Sequence, residues 1–89
     1  MKIKPGYILR KVVDIYVIIG VGEDAYQPDV IMSLNETGAF LWEILIDGAE
    51  YQDLVTALMK EYDEIDQETA KNDVDAFLDQ LRKQELIDL

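Results

Sequence analysis

The sequence contains no cysteine and no histidine, and its one serine is Ser33. Those absences exclude disulfides, thiolate metal sites and cysteine nucleophiles, and they leave no Ser-His or Cys-His pair to assemble. A metal would have to be held by carboxylates alone. Basic residues are scarce as well, eight against nineteen acids, for a net charge of −11. Nucleic-acid phosphates repel such a surface, because affinity for them depends on clustered Lys and Arg. Anionic membranes are disfavoured for the same reason. Long apolar runs are also missing. Residues 15–20 form the longest, far too short to span a bilayer. The basic start, residues 1–6, is not followed by the apolar stretch of a signal peptide. The chain therefore reads as one soluble, cytoplasmic domain over residues 1–89.

What is present suits a small core. Apolar residues make up 49% of the chain, yet a chain of this length buries only a modest fraction of its surface, so burial against a partner would add stability. Charge is unevenly placed. Residues 1–11 hold Lys2, Lys4, Arg10 and Lys11 and no acid, whereas residues 49–89 hold twelve acids and four bases. A partner with a basic or apolar surface fits this distribution.

The hydrophobic period changes near Asn35. Before it, short segments rich in Val, Ile and Tyr alternate with turn residues, which predicts strands over residues 7–13, 15–21 and 30–34. Asp14 marks a tight hairpin between the first two. Gly20, Gly22, Glu23, Asp24, Gln27 and Pro28 supply a polar loop before the third, with Pro28 at its start or at an edge position. After Asn35, a helix N-cap residue, the period is helical. A helix over 36–46, nearly apolar all round, is expected to be central, with Glu36 at its positive end and Gly48 as its stop. A second, over 51–62, puts Tyr51, Leu54, Val55, Leu58, Met59 and Tyr62 on one stripe. A third, over 67–84 and capped by Asp66, puts Ala70, Val74, Phe77, Leu78 and Leu81 on one face. Leu86 and Ile87 close the core as an extended tail. The fold class is α+β, a three-stranded antiparallel meander followed by three helices.

Candidate chemistry is thin. The acidic run Glu61, Asp63, Glu64, Asp66 and Glu68 lacks the glycine and spacing of a calcium loop, and reads as a solvated helix junction. Asp75 and Asp79 lie one helical turn apart, but with no cleft predicted they too read as a solvated face. Gly20 and Gly22 precede no helix, so they cradle no phosphate. Trp42, Phe40 and Phe77 fall at core spacing, while Tyr16 and Tyr26 are either edge packing or contact residues. No metal, cofactor or catalytic group is assigned.

Three segments in order resemble the PqqD family, the precursor-recognition element of ribosomally made, modified peptides. One is the opening hairpin, Tyr7-Ile8-Leu9-Arg10-Lys11 with Tyr16-Val17-Ile18-Ile19. The most specific is Ile31-Met32-Ser33-Leu34-Asn35-Glu36-Thr37-Gly38-Ala39-Phe40-Leu41-Trp42, similar to the family's strand–Leu-Asn–helix–Trp segment. The last is the two-helix tail from Asp47-Gly48 through Leu81 to Glu85-Leu86-Ile87. Glu85 departs from the family, where glycine is frequent, which implies a differently shaped final turn. The resemblance implies a winged-helix-like domain that is not an enzyme. Such a domain binds the leader segment of a precursor peptide as an added strand on the third strand, beside the third helix. It then presents that peptide to a modifying enzyme, such as a radical SAM protein.

The residues are compatible with this on physical grounds. The third strand of a meander is an edge with unpaired N–H and C=O groups, which a guest strand can pair with. The candidate rail is Asp29, Val30, Ile31, Met32, Ser33 and Leu34. Strict alternation puts Val30, Met32 and Leu34 on one face and Ile31 and Ser33 on the other, and Met32→Pro should remove one ladder donor and abolish capture, with a cost to folding. On the third helix the candidates are Lys71, Val74, Asp75, Phe77, Leu78 and Leu81, some of them necessarily core. Other readings stay open: an adaptor docking a partner protein through the same edge, a homodimer through that edge, and a winged-helix regulator. The last is opposed by Glu68, Asp73, Asp75 and Asp79 on the third helix.

Overall fold

A computed structural model describes residues 1–21 and 29–88. The polar loop expected at Gly22, Glu23, Asp24, Gln27 and Pro28, and with it Tyr26, lies outside the described residues. The elements run β1 (Lys2–Ile3), β2 (Tyr7–Val12), β3 (Ile15–Gly20), β4 (Asp29–Leu34), α1 (Glu36–Leu45), α2 (Tyr51–Glu61), α3 (Gln67–Lys83) and β5 (Ile87–Asp88). Strands β2, β3 and β4 form an antiparallel meander in that order. The three helices follow it, as the change of period near Asn35 predicts.

Side-chain caps fix where the helices begin. Asn35 leaves the sheet extended and its side-chain oxygen accepts from the Gly38 N–H at 2.7 Å, satisfying one of the orphan donors of α1. Asp66 does the same for Thr69 at 2.8 Å in α3. At α2 the Asp53 carboxylate accepts from the Glu50 N–H at 3.0 Å. Gly48, at φ +94°, ends the turn after α1, a conformation that glycine adopts without steric cost.

The helices bury their apolar stripes against one another and against the inner face of the sheet. Trp42, Leu41 and Leu45 of α1 meet Leu54, Val55 and Leu58 of α2, Val74, Leu78 and Leu81 of α3, and Ile18 and Leu34 of the sheet. The tail is more than an extended cover. Strand β5 pairs with β1, Ile3 opposite Ile87, and the Lys4 N–H donates to the Leu86 carbonyl at 2.8 Å. Two residues per strand carry too little pattern to be read as a sheet. This pair joins the two ends of the chain and buries Ile3, Leu86 and Ile87.

Two expectations need correction. The first concerns the faces of β4. Ile18 pairs with Met32, but Ile19 pairs with Val30, so Ile31 is an extra residue in a bulge. One inserted residue reverses the alternation on one side of it. Ile31 therefore joins Met32 and Leu34 on the helix-facing side: a Cβ on Gly20 would stand 3.6 Å from its Cδ1, and it packs against the core. Val30, not Ile31, shares the outer face with Ser33. The second concerns the final turn. Glu85 sits at φ +57°, the left-handed conformation that glycine would take there. The Leu86 N–H donates back to the Leu81 carbonyl at 2.9 Å, the long bond of a helix C-terminal motif. The turn keeps its shape without glycine and bears the strain instead.

Candidate functional site

The meander has two edges, and they differ. Strand β2 carries Arg10 and Lys11, both exposed, and charged side chains on an edge discourage pairing with another chain. From Val30 to Leu34, β4 has no charged side chain. Among the described residues nothing pairs with its outer side.

Which main-chain groups face outward follows from the register. The Val21 N–H donates to the Gly6 carbonyl at 2.7 Å. In an antiparallel ladder such mutually bonded pairs recur at every second residue. The pairs Ile8–Ile19, Arg10–Val17 and Val12–Ile15 are therefore also bonded ones. Tyr16, Ile18 and Gly20 then turn their main-chain groups toward β4, where Leu34, Met32 and Asp29 receive them. Ser33 and Val30 are left with N–H and C=O pointing away from the sheet. Val30 is 63% exposed and Ser33 is exposed.

Beyond the end of β4, the turn into α1 and one flank of α3 enclose a hollow of about 180 Å³. Asn35, Thr37 and Gly38 line it from the α1 side, and Asp73, Ala76, Phe77 and Gln80 from α3. Gly38 matters here because α1 comes close to the strand it follows: a Cβ would meet Leu34 Cβ and Cδ2, both at 3.3 Å.

The structure divides the α3 candidates. Val74, Phe77, Leu78 and Leu81 are all buried in the core, and Phe77 is the one of the six that also lines the hollow. Lys71 and Asp75 lie elsewhere. Asp75 lies near Tyr51 at the start of α2, where the nearby carboxylate, and after it burial, hold the Tyr51 pKa above the ordinary phenol value. Lys71, four residues before it, shares that flank. In the sequence Asp73 counts only as a charge opposing nucleic acid, and Ala76 and Gln80 do not stand out, because polar or small residues on a helix read as solvated. The available signal was the run Asp73, Phe77, Gln80, spaced by four and three beside the buried stripe. Among the described residues no group of three metal-ligating side chains converges, and no helix is long and apolar enough to cross a membrane.

Comparisons with known proteins bear on this edge. No curated protein matches the chain. Two solved structures share the fold over nearly its whole length. TbiB1 in complex with the TbiA(beta) leader peptide is 26% identical with a TM-score of 0.71, covering 97% of this chain and 93% of that one. Lasso peptide synthetase B1 complexed with the leader peptide is 21% identical with a TM-score of 0.69, covering 96% and 93%; at that identity it speaks to the fold alone. The family described as coenzyme PQQ synthesis protein D matches residues 24–87, well over half of the sequence, and the chain belongs to this PqqD family.

Proposed function

We propose that this protein is a non-catalytic carrier that binds the leader segment of a ribosomally synthesised precursor peptide by strand addition. The leader joins the meander at β4, and the carrier presents it to a modifying enzyme, of the radical SAM type or another. The observation that carries this reading is the uncharged outer row of β4, with the main-chain groups of Val30 and Ser33 turned outward beside the hollow on α3. Main-chain bonds along such a row supply affinity, and alternate side chains of the guest supply specificity. A relative that is 26% identical is described with a leader peptide bound, which supports the same use of the fold. The role asks for no cofactor and no metal.

The test is titration of a labelled leader from the neighbouring precursor, read together with amide hydrogen exchange. Saturable binding should slow exchange at Val30 and Ser33, whose N–H groups face outward. Met32 and Leu34, bonded within the sheet, should change little. A flat titration would leave the chain as an adaptor for a folded partner.

A further inference from the structure

A second hollow, of about 200 Å³, lies on the other flank of α1, away from Thr37 and Gly38. Tyr16 of β3, Phe40 of α1 and Tyr62 after α2 form its apolar walls, and Glu36, Glu43 and Glu61 stand around it. The Phe40 and Tyr62 rings meet edge to face, with centroids 5.9 Å apart and planes at 84°. One exposed flank thus combines π-faces with three exposed carboxylates.

Among the described residues no ion pair engages those carboxylates, although Lys11 lines the adjoining hollow together with Glu36. The ion pair found among the described residues is Arg82 with Asp79 on α3, and no Lys or Arg falls outside the described residues. Tyr16 already holds one cation, the Lys11 Nζ, 5.5 Å from its ring centroid. The Tyr62 hydroxyl has its pKa raised, first by burial and then by the neighbouring Glu36 and Glu61 carboxylates.

We propose that this hollow binds an arginine side chain of a protein partner, with the guanidinium held between the Tyr16, Phe40 and Tyr62 rings and the carboxylates of Glu36, Glu43 and Glu61. Ring quadrupoles attract a cation, and carboxylates at the rim add charge-assisted hydrogen bonds to it. Arginine fits better than lysine. Its planar ion stacks on rings, is weakly hydrated and offers forked donors to carboxylates. The site is separate from the β4 edge and needs no peptide there.

The test uses the whole chain and Nα-acetyl-arginine amide, followed by NMR at the ring signals of Phe40 and Tyr62 in about 0.15 M salt. Its uncharged near-isostere, Nα-acetyl-citrulline amide, is the control. The proposal expects saturable shifts with the arginine compound at millimolar concentration and none with citrulline. Glu36→Gln with Glu43→Gln, both at exposed positions, should weaken binding about tenfold while far-UV circular dichroism stays that of the parent. Tyr62→Ala should weaken it about fivefold or more. Absence of shifts, equal shifts with citrulline, shifts spread evenly over the acids of α3, or full affinity in the double glutamine variant would each overturn it.

Discussion

Met32 is paired with Ile18, and its main-chain groups are used there, while Ser33 beside it turns its own outward. That relationship decides how the proposed strand addition must be probed. A proline at Met32, the substitution expected to remove a ladder donor, would break the internal ladder to Ile18. It would therefore test folding more than capture. Proline at Ser33 removes an N–H that no residue of the sheet uses, and edge strands tolerate proline in that orientation. Ser33→Pro should keep its far-UV circular dichroism and lose at least about tenfold in leader affinity, the worth of one main-chain bond with some steric obstruction. Met32→Pro should lower the Tm sharply.

The two flanks of α3 make opposite predictions. Ala76 is exposed and lines the hollow next to Phe77, so Ala76→Trp fills that space without entering the core. Leader affinity should fall by about tenfold while the Tm stays near wild type. Asp75→Ala and Lys71→Ala alter the flank near Tyr51 and should leave affinity within about twofold. Isothermal titration with one leader across all three variants checks the assignment. Equal losses from both flanks would show that the peptide crosses α3 in another way.

The helices were legible because each repeats a physical signal over several turns. Leu54, Val55 and Leu58 mark the buried face of α2, and Asn35 and Asp66 stand where their oxygens cap the next helix. The β4 edge was legible too, since a meander has to end in one. The bulge at Ile31 was not. A single inserted residue leaves no trace in a run where Val30, Ile31 and Met32 are all apolar, and its effect on which side faces outward appears only once β3 is alongside. The β1–β5 pair escaped for a related reason: two residues make no period, and the partners lie at opposite ends of the chain.

Two side chains occupy backbone conformations that favour glycine. Val13 has φ +58° in the two-residue turn between β2 and β3, is β-branched, and is 85% exposed, so no contact offsets the strain. Glu85 has φ +57° at the end of α3, where a negative charge also opposes the helix dipole. Placing an L-residue in this region costs roughly 1–2 kcal/mol, and glycine returns part of that gain through unfolded-chain entropy. Val13→Gly and Glu85→Gly should each stabilise the protein by roughly 0.5–1 kcal/mol. The sites lie on different elements, one in the β2–β3 turn and one after α3, so the double variant should show the sum. Urea denaturation of the four proteins measures this directly.

The Asp66 cap has its own pH signature. Its carboxylate accepts the Thr69 N–H, and that bond holds its pKa below the ordinary carboxylate value. A folded value below the unfolded one means that the unfolded chain takes up the proton first as pH falls. The cap's contribution is therefore complete above the unfolded pKa and fades as pH drops through the lower folded value. Asp66→Ala should show a lower Tm than the parent at pH 7, with the gap constant down to about pH 5 and closing toward about pH 2. Asp66→Asn supplies the control, because its amide oxygen can accept the same bond without titrating. Its Tm should lie above that of the alanine variant at every pH, and its difference from alanine should not close in acid. Thermal melts of the three proteins across that range read out both differences, and a gap between Asp66→Ala and the parent that survived at about pH 2 would assign the cap's effect to something other than its charge.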